Sequence, residues 1–326
     1  MRKFLINIIV LCIVAVSILC LFTWIRVRKI EYVSYRLSDD THSIALGPST
    51  MQSSVNDTLI AGLQNISRDG TGLPYLVPLL PRILDENPQI DTVYINHGRF
   101  MYLPRPSVDA AQKMQFLRDK LPFIWNNREN EEWSNRLTQE NFYAAILNSD
   151  WKEILIPKSS ILDYGLRFSA GISHNLKDAS KNWSIAWYDS ITALHGTNVY
   201  TKEEILEKCA LTEKYSRMAI DICKSHNVVP VLFFTPLYHY ERWFPYDCFC
   251  SVLKDYDQEL LVADYENFKF SNDSLCRRDV HHLNIYGANE FSESLAKNGI
   301  RTVKLKDWLS SKKTLGSVTY YGAHPQ

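Results

Sequence analysis

Apolar and polar positions along the chain predict three kinds of segment. Residues 4–24 form an almost unbroken apolar run, interrupted only by Asn7, Ser17 and Thr23. Beyond it, short apolar runs alternate with stretches in which apolar residues recur at helical spacing. Between about residues 100 and 190 the pattern becomes irregular, aromatic and rich in charge. We therefore expect a membrane segment, a regular α/β region and an insertion within that region.

Short apolar runs in the regular region predict buried strands. They lie at 44–46, 92–95, 228–236 and 261–264, and residues 64–67 are expected to form a further short strand. Helical patterns lie between them, at 51–63, at 73–84 where Pro78 and Pro81 should break or kink the helix, and at 202–226. Strands that alternate with helices favour a mostly parallel central sheet covered on both faces. The predicted fold class is α/β.

The N-terminal apolar run is long enough, at about 20 residues, to cross a bilayer as a helix. Arg2 and Lys3 precede it, while Arg26, Arg28 and Lys29 follow it, so the charge signal for orientation is nearly balanced. A short charged N-terminus before a long domain favours an uncleaved signal anchor with the domain outside the cytoplasm. A cleaved signal peptide is the alternative.

These patterns predict the division of the chain. Residues 1–25 are the transmembrane anchor and 26–42 a juxtamembrane connector. The α/β domain occupies 43–311 and contains the insertion at about 100–190, which we interpret as a lid or a substrate-recognition subdomain. The tail is 312–326.

Charge and cysteine content narrow the function classes. The 36 basic and 36 acidic side chains balance, which argues against nucleic acid as the main partner. The seven cysteines show no repeated spacing and predict no disulfide framework, although one or two bridges are compatible with an oxidising compartment. Cys248 and Cys250 lack zinc-finger spacing. No metal and no cofactor are expected.

A carboxylate and an imidazole lie three residues apart near the C-terminus. Asp279 and His282 precede Asn284, Gly287 and an apolar helical stripe. At that spacing the carboxylate can accept a hydrogen bond from one ring nitrogen, which leaves the other free to take a proton. The alternative is an N-cap followed by a surface histidine.

A hydroxyl lies at a predicted strand-to-helix turn near the start of the domain. There a short apolar run ends in Gly47, Pro48 and Ser49, and a helical pattern follows. Such a turn exposes a serine beside the free amides of a helix end, as a nucleophile requires. The alternative reading of Ser49 is a helix cap, and Thr50 is the alternative hydroxyl.

Parallel strands bring these distant segments to one edge. In an open parallel sheet, the loops at the carboxyl ends of the strands build the site. Ser49, Asn96, Thr235 and the 279–282 loop all fall at such ends. We therefore expect the folded sheet to place the Ser49 hydroxyl within bonding distance of the His282 ring.

The two segments together resemble the SGNH (GDSL-like) hydrolase and acyltransferase superfamily. That family has Gly-Asp-Ser after its first strand and Asp-x-x-His before its last helix. Here the first block is Gly47-Pro48-Ser49, with proline in place of aspartate, and the last is Asp279-Val280-His281-His282. The resemblance implies a flavodoxin-like three-layer sandwich. It also implies Ser49 as nucleophile, His282 rather than His281 as general base, and Asp279 as the residue that fixes the base's tautomer.

The resemblance also implies an oxyanion hole. Besides the Ser49 amide, the family uses a glycine amide and an asparagine side chain. Gly70 or Gly72 is the candidate glycine. The family's Gly-x-Asn-Asp block is absent, and Asn96 is the nearest substitute by position.

The triad, the anchor and the aromatic insertion predict a serine esterase or O-acyltransferase, and the resemblance implies O-acetyl chemistry on a cell-envelope or surface glycan. It would be a single-pass protein of the cell membrane with its catalytic domain on the extracytoplasmic side, periplasmic or outer. Expected partners are the membrane, a glycan or small acyl-ester substrate and a membrane acyl donor. The alternative, favoured by Pro48 and the missing third block, is a catalytically inactive protein of the same fold that binds a glycan or a partner.

Overall fold

The computed structural model describes residues 1–31, 35–67, 73–98, 202–237, 250, 252–269, 273–278 and 282–313. The chain forms two compact units, Met1–Tyr35 with Val108–Arg167, and Arg36–Ser107 with Phe168–Gln326. The predicted insertion at about 100–190 lies outside the described residues, as does the tail beyond residue 313.

The first unit contains a single long helix among its described residues, α1 (Arg2–Glu31). Its apolar side chains that are described are exposed. The sequence predicts that this segment crosses a membrane. Of the helices in the part of the chain that the structure describes, however, none is both long enough and apolar enough to do so.

The second unit is built on a six-stranded, mostly parallel sheet. Its strands are β1 (Ser43–Leu46), β2 (Leu63–Asn65), β3 (Thr92–Asn96), β4 (Val229–Phe234), β5 (Leu261–Asp264) and β6 (Val303–Lys304), in the spatial order β2-β1-β3-β4-β5-β6. All neighbouring strands are parallel except β6, which is antiparallel to β5. The prediction of an α/β fold with a mostly parallel sheet is confirmed. The edge strand β6 was not predicted, because its two residues are exposed and show no apolar pattern.

Helices connect the strands. They are α2 (Ser49–Ser54), α3 (Leu73–Leu76), α4 (Leu80–Glu86), α5 (Lys202–Ser225), α6 (Ile285–Asn298) and α7 (Leu305–Lys313). Short 3-10 turns lie at Asp57–Leu59, Val77–Leu79 and Ser274–Cys276. The helix predicted over 51–63 is wrong in length, because Val55 adopts an extended conformation and ends α2 at Ser54. Pro78 and Pro81 divide the predicted 73–84 helix, and each sits in a first turn, where its missing N–H is tolerated.

Side chains of consecutive strand residues reach opposite faces of the sheet. The face that bears Ala45 and Phe233, here called the front face, packs against α2 and α6, and Phe233 meets Phe291 of α6 with ring centroids 6.3 Å apart. On the opposite, back face, Phe234 stacks on Trp308 of α7 at 5.1 Å. Helices on both faces explain why the central strand β4 is apolar along its whole length.

Candidate active site

The Ser49 hydroxyl and the His282 ring meet at the carboxyl edge of the sheet. Ser49 Oγ lies 2.7 Å from His282 Nε2, although the two residues are 233 positions apart. The neutral ring accepts the hydroxyl proton when its own proton is on Nδ1. This contact joins the loop after β1 to the loop before α6, so the two segments come together as the sequence predicted.

Ser49 is positioned by a tight turn at the end of β1. A β-carbon on Gly47 would stand 2.5 Å from Cβ of Asn96 and 2.8 Å from Cβ of Met51, so only glycine allows this close approach. Pro48 is the N-cap of α2 and makes no side-chain capping bond. Ser49 is the first helical residue and is half-buried. Its hydroxyl bonds to His282, so the alternative reading of Ser49 as the cap of α2 is not supported.

The loop that holds His282 is fixed by a short antiparallel bridge between Arg277 and Leu283. The Arg278 amide donates to the carbonyl of His282 at 3.0 Å. On the other side, Asn284 is the N-cap of α6 and accepts from the Gly287 amide at 3.0 Å. These contacts hold the backbone on both sides of the imidazole.

Asn284 also ties this loop to the preceding turn. Its Nδ2 donates to the carbonyl oxygen of Leu275 at 2.6 Å and to that of Arg277 at 3.3 Å. A β-carbon on Gly287 would collide with the Cys276 carbonyl, so α6 can begin this close to the turn only with glycine there. Both residues were noted in the sequence, but their positioning roles were not predicted. Asn284 and Gly287 are three residues apart, which is the spacing between an N-cap and the N3 amide that it accepts from. This spacing is the signal that the sequence offers.

Asn96 lies at the end of β3 on the same side as Ser49. Its side chain is fully buried and contacts the Gly47 turn. The Gly98 amide lies 3.5 Å from Oδ1, while Nδ2 has no hydrogen-bond partner among the described residues. A buried amide donor without a protein partner is rare and requires an explanation. Here the donor belongs to a side chain that lies against the Gly47 turn, two residues before Ser49.

Most of the other site residues that the sequence predicts lie outside the described part of the chain. These are Asp279, Gly70, Gly72 and the neighbouring histidine His281. Thr50, the alternative hydroxyl, is described: only 1% of it is exposed, whereas Ser49 is half-buried and its hydroxyl lies 2.7 Å from His282 Nε2.

His97 follows Asn96 but faces the back of the sheet. Its ring packs against Tyr256 at 5.5 Å and against Phe234 at 6.3 Å. Burial, aided by the positive charge of Arg217, lowers the pKa of His97 to about 3. It is therefore a neutral core histidine at physiological pH and does not belong to the site.

Neither a family model, nor a curated protein, nor a solved structure matches this chain. The likeness to the SGNH superfamily thus rests on the residues quoted above. Within the described ranges, no group of three His, Cys, Asp or Glu side chains forms a metal site.

Proposed function

We propose that this protein is a serine esterase or O-acyltransferase. The observation that supports it best is the 2.7 Å contact between Ser49 Oγ and His282 Nε2. A neutral imidazole at hydrogen-bond distance from a half-buried hydroxyl is the arrangement that activates a serine for attack on an acyl carbon. The nearby unpartnered amide of Asn96 supports acyl transfer in particular, because that reaction develops negative charge on an oxygen.

In the proposed first step, Ser49 Oγ attacks the carbonyl carbon of an ester as its proton passes to His282 Nε2. The carbonyl oxygen becomes an oxyanion, for which the Ser49 amide and Asn96 Nδ2 are the donors. The first amides of a helix have no partner within it, and Ser49 is the first residue of α2, so its N–H is a suitable donor. Protonated His282 then gives its proton to the leaving alcohol, and the acyl group remains on Ser49.

The second step decides between hydrolysis and transfer. Water, or the hydroxyl of an acceptor, gives its proton to His282 and attacks the acyl carbon, after which Ser49 regains its proton. We propose that Asp279 orients His282 in both steps, as the resemblance implies. A glycan that bears acetyl esters is the proposed substrate class, and a membrane acyl donor is the proposed partner for transfer.

The proposal includes a flavodoxin-like three-layer arrangement of the α/β unit and a location at the extracytoplasmic side of a membrane. The strand order β2-β1-β3-β4-β5 supports the first, since it is the order of that doubly wound type. The apolar run at 4–24 and the exposed apolar side chains of α1 support attachment to a membrane. Deletion of residues 2–25 is expected to move the protein from the membrane fraction to the soluble fraction.

Covalent labelling tests the chemistry directly. The full chain is treated with an alkyl fluorophosphonate, and the adduct is located by mass spectrometry of its peptides. We expect one phosphonate on Ser49 in the wild type and none in Ser49→Ala. His282→Ala should slow labelling by at least about 10²-fold, because general-base assistance is lost.

The control is Ser67→Ala, which removes a buried serine hydroxyl that donates to the Ala45 carbonyl at 3.2 Å in the same part of the sheet. This variant should label like the wild type. A folded wild-type protein without an adduct would contradict the esterase proposal and favour the non-catalytic binding protein.

A further inference from the structure

Thr235 has a buried hydroxyl that the proposed mechanism does not use. It follows the last residue of β4, and only 1% of the residue is exposed. Its Oγ1 has no hydrogen-bond partner in the described part of the chain. An unsatisfied buried hydroxyl lowers stability by roughly 1–3 kcal/mol. A ligand bound at this edge of the sheet would supply the missing partner.

The backbone around Thr235 fixes the direction of its side chain. The Tyr265 amide donates to Phe234 O at 3.0 Å and the Leu237 amide to Glu266 O at 3.1 Å, so pairing with the β5 strand continues beyond Phe234. Alternation therefore also continues, and Thr235 points to the same face as Phe233. That is the front face, because Phe233 packs on α6.

The same register brings Thr235 beside the oxyanion candidate. Asn96 pairs with Phe233 across the β3–β4 ladder, so Thr235 lies one pleat further toward the carboxyl edge on the adjacent strand. Strand spacing and rise put the two α-carbons roughly 8 Å apart. An oxygen atom between them is within reach of both side chains. The front face thus presents Asn96 Nδ2 and Thr235 Oγ1 together, each without a hydrogen-bond partner among the residues that the structure describes.

We propose that Thr235 is a substrate-contacting residue whose hydroxyl donates, with Asn96 Nδ2, to the substrate oxygen that becomes negatively charged. This inference rests on the proposed acyl-transfer function and names a donor that the resemblance does not imply. The hydroxyl keeps its proton throughout and contributes only a hydrogen bond. That bond strengthens as charge develops, so its contribution belongs to the transition state rather than to substrate binding.

The test uses the full chain with p-nitrophenyl acetate turnover and fluorophosphonate labelling of Ser49. Thr235→Val removes the hydroxyl and keeps the shape, whereas Thr235→Ser keeps the hydroxyl. Ser216→Ala is the matched control, because Ser216 Oγ on α5 is also fully buried and also lacks a partner among the described residues.

We expect Thr235→Val to reduce kcat and the labelling rate by about 10- to 100-fold with little change in KM. Thr235→Ser should retain activity within several-fold of the wild type. The Tm of Thr235→Val should be unchanged or higher, because an unsatisfied hydroxyl has been removed. Ser216→Ala should show the same Tm behaviour with wild-type turnover.

Several results would overturn the inference while leaving the proposed function intact. Wild-type turnover in Thr235→Val is one. Equal losses in Thr235→Val and Thr235→Ser are another, as is a lower Tm that accompanies the loss of turnover. If the folded wild type neither labels at Ser49 nor turns over ester, the proposed function fails and this inference fails with it.

Discussion

The two faces of the sheet differ in what surrounds the residues at the carboxyl ends of the strands. On the front face, Asn96 Nδ2 and Thr235 Oγ1 are buried without a partner among the described residues. On the back face, the neighbouring residues His97 and Phe234 are enclosed by the rings of Tyr256 and Trp308. At this edge the front face therefore presents an amide and a hydroxyl, whereas the back face packs aromatic rings around a histidine.

The two described histidines at this edge make the same contrast. His282 is half-buried, and its Nε2 meets a serine hydroxyl. His97 is fully buried, and its pKa falls to about 3 because burial disfavours the charged ring. His282 thus combines exposure with a hydroxyl partner, as proton transfer requires, whereas His97 is a buried neutral ring. Placement on the sheet, rather than residue type, separates a candidate base from a core residue.

The largest effect is expected from breaking the Ser49–His282 pair. Ser49→Ala or His282→Ala should each reduce kcat by at least about 10³-fold, and the double variant should be no worse, because the two residues act as one unit. Steady-state ester hydrolysis measures this.

The matched control is His226→Ala, which removes a half-buried histidine after α5 that contacts Asp85 at 3.3 Å. It should leave kcat unchanged. Additive losses in the double variant would show that the hydroxyl and the imidazole act separately.

The next largest effect on kcat is expected from Asn96, whose buried Nδ2 has no hydrogen-bond partner among the described residues. Asn96→Ala should reduce kcat by about 10²- to 10³-fold, the usual loss for one oxyanion donor. Asn87→Ala is the control, because Asn87 is a buried asparagine whose Nδ2 donates to Ile83 O at 2.7 Å and whose Oδ1 accepts from the Leu37 amide at 2.7 Å.

The two asparagines should respond in opposite ways. Asn87→Ala is expected to lose stability and keep its turnover per folded molecule, and Asn96→Ala to lose turnover with a smaller change in stability. Circular dichroism melts alongside ester assays measure both. Loss of stability without loss of kcat in Asn96→Ala would assign Asn96 to the core.

The fold and the contact between Ser49 and His282 could be predicted from the sequence for one reason. Apolar runs identify buried parallel strands, and the carboxyl ends of parallel strands lie at one edge whatever the connections contain. Ser49 and Asn96 were therefore correctly expected at one edge. That their roles are catalytic remains a prediction.

Close contacts between backbone segments that are distant in the sequence could not be predicted from it. The fit of Gly47 against Asn96 depends on how closely β1 and β3 approach, and the fit of Gly287 against Cys276 depends on a turn that has no pattern of its own. The early end of α2 likewise follows from tertiary contacts: Asn65 Nδ2 donates to the carbonyls of Met51 and Val55, at 3.2 and 2.7 Å. Helical spacing alone predicts a longer helix.

A smaller effect on kcat is expected from replacing Asn284, the N-cap of α6, because this residue helps to hold the loop that carries His282. Asn284→Ala removes the bond to the Gly287 amide and the bond to Leu275 O, and should lower the free energy of unfolding by about 1–2 kcal/mol. It should also reduce kcat several-fold, because His282 is held two residues away.

Asn284→Ser separates these contributions. Serine restores the cap of α6 but cannot donate to Leu275 O as the amide does, so stability should recover more than kcat. Chemical denaturation and ester hydrolysis provide the two measurements. Wild-type kcat in Asn284→Ala would show that the loop holds His282 without this side chain.

The smallest effect comes from a carboxyl group just after α2. Asp57 accepts from Gln64 Nε2 at 2.5 Å and from the Asn65 amide at 2.8 Å, yet burial dominates and raises its pKa from 3.8 to about 6. The folded protein therefore binds this proton more tightly than the unfolded chain does. The resulting stability is present at low pH and is lost as the pH rises through the folded-state pKa. Between about pH 5 and pH 7 the loss amounts to roughly 1 kcal/mol.

Asp57→Asn removes this titration and keeps an oxygen that can accept the Asn65 amide. Denaturation at a series of pH values should show that the wild type loses about 1 kcal/mol more than Asp57→Asn between pH 5 and pH 7. Asp91→Asn, which alters an exposed carboxyl, should follow the wild type. Parallel curves for wild type and Asp57→Asn would mean that the carboxyl is solvated well enough to titrate as it does in the unfolded chain. The kcat of Asp57→Asn should match that of the wild type, because the group lies outside the set formed by Ser49, Asn96 and His282.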